Sequence, residues 1–205
     1  TIVGLNRPAA GGIRVLGVDV VNGKYEERRV VEKRWGVAFQ DGALFSSLTV
    51  LQNVMAPMRE HLKLSHGLMK ALGELKISLV GLPPLSCGKY PSELSGGMRK
   101  RAALARALAL DPEIVFLAEP TAGLDPIGAA AYDDLIGELQ RSLGLTVFMV
   151  THDLDSLYAI CDRVAVLAEK RVLVEGPVSS MTAVDHPWVQ EYFTGPRARA
   201  AQKIG

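Results

Sequence analysis

One stretch limits what this chain can fold into more than any other. It is Leu94-Ser95-Gly96-Gly97-Met98, followed by a basic, Ala/Leu-rich run and then by Ile114-Val115-Phe116-Leu117-Ala118-Glu119-Pro120. Two adjacent glycines at a helix start leave backbone N–H groups bare, with no Cβ atoms to hold a ligand away. Such donors sit at the positive end of a helix dipole, which favours a phosphate oxyanion. Ser95 adds a hydroxyl at the same place. Taken alone, Ser-Gly-Gly is also an ordinary helix cap; here it stands among other polar punctuation.

Three short apolar runs read as parallel strands, and each stops at a polar side chain. Gly36-Val37-Ala38-Phe39 runs into Gln40, Ile114 to Leu117 into Ala118 and Glu119, and Thr146 to Val150 into Thr151 and His152. Continuous apolar runs bounded by turn residues fit strands covered by helices on both faces. In open α/β sheets the ligand sits beyond the carboxyl ends of the strands, so Gln40, Glu119 and His152 are expected to converge on one crevice. Each also has an ordinary reading: a solvated Gln, a Glu opening a turn before Pro120, and a His capping a helix with Asp153.

These residues carry a family resemblance. The chain resembles the ATP-binding subunit of ABC transporters. Leu94 to Met98 matches the signature motif, Gln40 the Q-loop glutamine, and Glu119 the carboxylate after the Walker B strand. Thr121-Ala122-Gly123-Leu124-Asp125-Pro126 matches the D-loop, and Val150-Thr151-His152-Asp153 the H-loop. The stretches Phe39 to Val50, Asn53 to Glu60 and His186-Pro187-Trp188-Val189-Gln190-Glu191-Tyr192-Phe193 are similar to the Mla-type, MCE-associated lipid-transport ATPases.

The implied fold is α/β, a P-loop NTPase-like ABC ATPase core with a mostly parallel sheet plus a helical subdomain. The resemblance implies ATP and Mg²⁺ as cofactors and a head-to-tail pair of ATP-binding subunits. Glu119 would orient or deprotonate the attacking water, and His152 would contact the γ-phosphate. Gln40 would touch Mg²⁺ weakly and sense the γ-phosphate. Leu94, Ser95, Gly96 and Gly97 would clamp the partner subunit's ATP, and Asp125 would cross the dimer interface. Further implied partners are a transmembrane permease and, through the complex, an MCE-type substrate-binding protein. The implied location is the cytoplasmic face of the inner membrane, and the implied work is transport of a phospholipid or other hydrophobic substrate.

Two departures from the family pattern stand out. No Gly-x-x-x-x-Gly-Lys-[Ser/Thr] loop occurs in the 205 residues. That loop cradles the β- and γ-phosphates. The N-terminal βα unit is therefore read as absent, with the chain beginning inside the helix that follows the loop. An N-terminally incomplete sequence explains this best, because a doubly wound sheet without its first unit leaves a raw edge. Second, Ala118 stands where the family has the Walker B Asp, and a methyl group cannot ligate a hard cation that needs oxygen. Weak or absent hydrolysis by this chain alone is the expectation. A degenerate, non-hydrolysing subunit that completes a partner's site is the alternative.

One domain over residues 1–205 is expected, with a helical subdomain at 41–92 and a flexible tail at 194–205. A helix remnant, a β-ribbon around Ile13 to Leu16 and a solvated charged helix over Lys24 to Arg34 precede Gln40. Phe45, Leu48, Val50 and Leu51 are candidates for a groove that receives a permease helix, or for subdomain core. Arg99-Lys100-Arg101 reads as a solvated face or as a source of positive potential near the nucleotide. Short strands are expected at Arg163 to Leu167 and Arg171 to Gly176. A net charge of +1 gives no basis for nucleic-acid binding. No apolar stretch approaches the ~20 residues of a membrane helix. Cys87 and Cys161 lack metal-ligand spacing and fit a reducing compartment.

Overall fold

The computed structural model describes residues 1–195. The basic residues Arg197, Arg199 and Lys203, and all of the expected 194–205 tail beyond Gly195, lie outside the described residues. Contacts divide the chain into two compact units, Thr1–Pro120 with Gln140–Val150, and Thr121–Leu139 with Thr151 onward.

The first unit opens with turns rather than the expected helix remnant; the first α-helix starts only at Tyr25. Gly4 and Gly11 have positive φ, and the segment also carries Pro8, so helical hydrogen bonding cannot propagate through it. The β-ribbon exists but is short: β1 (Arg14–Val15) pairs antiparallel with β2 (Val18–Asp19). Helix α1 (Tyr25–Glu32) buries Val31 and leaves Glu26, Glu27, Arg29 and Glu32 exposed, while Arg28 is half-buried.

Strands β3 (Trp35–Ala38), β4 (Ile114–Ala118) and β5 (Thr146–Val150) form one parallel sheet in the order β3-β4-β5. The expected three strands are all present. Coverage of both faces holds for β4, whose Val115, Phe116 and Leu117 are buried. It fails for β5, where Phe148 is 46% and Val150 55% exposed. Among the described residues β5 has a strand neighbour only on its β4 side. Phe148 packs its ring on Phe116, with centroids 5.6 Å apart.

Between β3 and β4 lie α2 (Val50–His61), α3 (His66–Leu79), two 3-10 turns at Pro84–Gly88 and Pro91–Glu93, and α4 (Gly96–Ala107). Thr49 caps α2 through a reciprocal capping box with Gln52. Val50, Val54, Met58, Ile77 and Leu104 are fully or almost fully buried. Each such side chain contributes about 1.5–3 kcal/mol on burial. Helix α4 lies hard on β3 at Gly36, where a Cβ would stand 2.1 Å from the Ala107 carbonyl oxygen. No larger residue fits there.

The second unit holds most of α5 (Pro126–Leu143), then α6 (Leu154–Ile160), the antiparallel pair β6 (Arg163–Ala168) and β7 (Arg171–Pro177), and α7 (Pro187–Thr194). Leu157, Val166, Met181, Val189 and Phe193 form its apolar core. Among the described residues no helix is long and apolar enough to cross a membrane.

Candidate functional site

Gln40 is exposed, two residues past the end of β3. The loop it opens, 40–49, is held by side chains of two helices, α4 and α2. Lys100 Nζ of α4 donates to the Gln40 carbonyl at 2.8 Å. Arg106 of the same helix donates to the Gly42 and Ala43 carbonyls at 2.8 and 2.6 Å. Asn53 of α2, fully buried, accepts the Phe45 N–H at 2.8 Å. Its amide nitrogen lies 3.0–3.1 Å from the Phe45, Leu48 and Thr49 carbonyls. The turn needs this support because Ala43, a residue with a Cβ, has a φ of 45°.

Glu119 is half-buried, one residue past β4, with φ of 46°. A non-glycine residue in this region is strained and persists only where its surroundings fix it. Here they do. The Glu119 N–H donates to the Val150 carbonyl at 2.8 Å, and Lys100 Nζ donates to the Glu119 carbonyl at 3.1 Å. Burial pulls the Lys100 ammonium below its usual value, while the carboxylates of Asp41 and Glu119 act the other way.

At the start of α4, Ser95 is the N-cap, accepting the Met98 N–H at 3.3 Å. Its cap role is thus real, and its side chain remains exposed. Gly96 and Gly97 are the first two helical residues, so their amides precede the intrahelical ladder. A Cβ on Gly96 would meet only the Arg99 guanidinium, at 4.0 Å. Among the described residues nothing near Gly96 requires glycine there, and the exposed cap with its first-turn amides has the chemistry to take a phosphate oxyanion. Leu94, by contrast, is a buried anchor whose carbonyl accepts from Arg99 at 2.7 Å. A Mg²⁺ ion fits less well, since Ala118 offers no oxygen and no cluster of metal-ligating side chains occurs among the described residues.

Two expectations change. The basic run is not a solvated face: Lys100 is buried, Arg99 holds the Leu94 carbonyl, and Arg101 donates to the Val80 carbonyl at 2.8 Å. Of the groove candidates, Phe45 is 56% exposed and Leu48 and Leu51 are half-buried, but Val50 is wholly interior. Val50 faces the core because it opens α2 on the same side as Val54 and Met58, four and eight residues on.

In the second unit, Asp125 is exposed, and its carboxylate caps α5 by accepting the Gly128 N–H at 2.9 Å. His152 is exposed in the segment before α6. Thr121 donates to Asp153 at 2.9 Å and lies 3.4 Å from Ser156, which donates to the buried Asp133 at 2.8 Å. Burial pushes the Asp133 carboxyl up to about 6, against the Ser156 hydrogen bond, and the nearby Asp153, Asp134 and Asp155 add to the rise. Burial likewise raises the Cys161 thiol to about 11.

The first unit therefore ties Gln40 and Glu119 to one ammonium. The sequence reading named Lys100 only within a basic run, without its tie to the strand ends, and gave no role to the Arg106 or Asn53 side chains. For Lys100 a signal existed: it falls in register with Ala103, Leu104 and Ala107, the buried stripe of α4.

The ABC transporter family profile matches residues 1–122, which is more than half of the chain. This chain belongs to the ABC transporter ATP-binding family. It is 40% identical over 188 residues to the intermembrane phospholipid transport system ATP-binding protein MlaF of Haemophilus influenzae, covering 92% of this chain and 71% of that protein. It is 37% identical over 197 residues to a probable ribonucleotide transport ATP-binding protein, mkl, of Mycobacterium tuberculosis, covering 96% of this chain and 55% of that protein. The chain spans little more than half the length of the mkl relatives. A dimeric post-hydrolysis structure of the ATP-binding cassette MJ0796, bound to ADP and Pi, superposes with a TM-score of 0.77 at 27% identity, over 86% of this chain and 77% of that one. CbiO1 of Clostridium perfringens superposes at 0.76 and 27%, over 99% and 79%. The fold is that of the ABC ATPases, a P-loop NTPase architecture with a parallel sheet and helices.

Proposed function

We propose that this chain supplies an ATP-binding and ATP-hydrolysing subunit of an ABC transporter that moves a phospholipid or another hydrophobic substrate. What supports the reading most is helix α4. Its exposed N-terminus has a glycine with no packing reason, and its Lys100 holds the main chain of Gln40 and Glu119. The Ser95 hydroxyl and the Gly96 and Gly97 amides bind the γ-phosphate of a partner subunit's ATP. Glu119 accepts the proton of the attacking water from hydrogen-bond reach. Gln40 and His152 hold the γ-phosphate in place, and Asp125 meets the second subunit. Phosphoryl transfer to water is mostly positioning and charge stabilisation, which suits loops fixed by their backbones.

The head-to-tail pair is supported by the dimeric MJ0796 cassettes. The permease docks at Phe45, Leu48 and Leu51, the last two half-buried beside an exposed aromatic. The complex lies at the cytoplasmic face of the inner membrane, with an MCE-type protein delivering or receiving substrate. The phospholipid class follows the 40% identity to MlaF; the 37% identity to mkl points instead to ribonucleotides. Proteoliposomes holding the assembled transporter decide between them. ATP-dependent movement of labelled phospholipid, abolished by Ser95→Arg, supports the proposal; movement of a labelled ribonucleotide alone refutes its substrate class. Indifference of ATP turnover to Ser95→Arg refutes the clamp.

Ala118 favours a second reading, a subunit that binds a permease and completes its partner's ATP site without hydrolysing at its own.

A further inference from the structure

We infer that Tyr192, on the C-terminal helix α7, is a positioning residue for His152. Its hydroxyl donates to the His152 main-chain carbonyl at 2.7 Å. The inference rests on the reading of His152 as a γ-phosphate contact, and it gives a role to the His186 to Phe193 stretch.

His152 is exposed and stands in a three-residue link before α6. The residues beside it are anchored. The Asp153 N–H donates to Thr151 Oγ1 at 3.0 Å, and the Asp153 carboxylate accepts from Thr121 at 2.9 Å. Orienting an imidazole on so short a link also requires its own peptide unit to be held. Tyr192 does that from a helix 40 residues further along the chain.

The phenol is aimed by packing. Val189 and Phe193, spaced four apart on α7, are 0% and 1% exposed in the cluster that also takes Leu157 of α6. One apolar core therefore fixes both the helix that follows His152 and the helix that carries Tyr192. The Trp188 ring stacks on the Tyr192 ring at 5.1 Å and 13°, and Phe193 meets it edge-on at 5.1 Å. A ring held on two sides, with only two side-chain torsions, directs its hydroxyl at little entropic cost.

The test is Tyr192→Phe in the full-length protein, which keeps the ring and removes one oxygen. It is compared with His152→Ala and with the double variant. Three results are expected. ATP turnover falls about fivefold, the worth of one net hydrogen bond, while KM for ATP holds and the thermal midpoint drops by no more than about 2–4 °C. Amides of residues 151–154 exchange with deuterium faster. The double variant is no slower than His152→Ala. Unchanged turnover and exchange in Tyr192→Phe, with turnover lost in His152→Ala, overturns the inference and leaves the site reading standing. Undiminished turnover in His152→Ala overturns the site reading itself and reduces the Tyr192 bond to a structural anchor.

Discussion

Lys100 grips Glu119 by its carbonyl oxygen, 3.1 Å away, and so helps hold a strained residue in the left-handed region. The same nitrogen holds the Gln40 carbonyl at 2.8 Å. Lys100→Met keeps most of the volume and removes the donor. Hydrogen bonds to charged groups contribute roughly 1.5–3 kcal/mol net, so a stability loss of about 2–3 kcal/mol is expected by urea unfolding. Glu119 should then relax toward ordinary backbone and ATP turnover should fall. A variant as stable and active as the parent would show that the strand ends need no such tie.

Asn53, fully buried on α2, reaches the loop after Gln40 and bonds Phe45, Leu48 and Thr49. Asn53→Ala removes the partner of the Phe45 N–H and the Leu48 carbonyl, while the Phe45 and Thr49 carbonyls keep the main-chain donors of Leu48 and residue 53; a group left unsatisfied costs roughly 1–3 kcal/mol. A loss of about 2–4 kcal/mol is expected, with faster amide exchange confined first to residues 45–49. Uniform exchange across α2 and the loop would instead mean that Asn53 serves the core.

The three parallel strands and the β6–β7 pair were legible because apolar runs and Pro/Gly punctuation report local geometry directly. The polar ends of those strands were legible for the same reason. What escaped depends on tertiary contacts. Thr146 to Val150 reads as a doubly covered strand, yet its cover is a matter of which neighbours it has, and Val150 stays 55% exposed. Arg99-Lys100-Arg101 reads as surface because charge usually is, but the run binds four carbonyls, of Leu94, Gln40, Glu119 and Val80, and Lys100 is buried. The left-handed φ of Glu119 has no sequence signal, since Glu has no preference for that region.

Ala118 closes β4, half-buried and paired with Val150. Ala118→Asp places a carboxylate at the strand end beside Glu119. Mg²⁺ takes six oxygen ligands and is usually bound through one or two carboxylates. Equilibrium nucleotide binding to Ala118→Asp is expected to strengthen when Mg²⁺ is added, while binding to the parent does not respond. Equal Mg²⁺ dependence in both would remove Ala118 as the cause of any defect, and no response in either would locate the defect elsewhere.

Asp133 gives the clearest pH signature. It is 4% exposed; Ser156 satisfies Oδ2, and Oδ1 has no hydrogen-bond partner among the described residues. Burial, with Asp153, Asp134 and Asp155 nearby, lifts its carboxyl from 3.8 to about 6. The folded state therefore holds more protons than the unfolded one between those values. Stability must fall as pH rises through that window, and level off above about 7 and below about 4. A two-unit rise corresponds to roughly 3 kcal/mol at most. Asp133→Asn stays neutral throughout and keeps an oxygen for Ser156. It should flatten the stability profile between pH 4 and 7 and be the more stable protein at pH 7.5, where the parent carries an ionised, half-satisfied carboxylate. Urea unfolding at pH 4.5 and 7.5 measures this, and parallel profiles for the two proteins would mean that the Asp133 carboxylate is compensated in the fold.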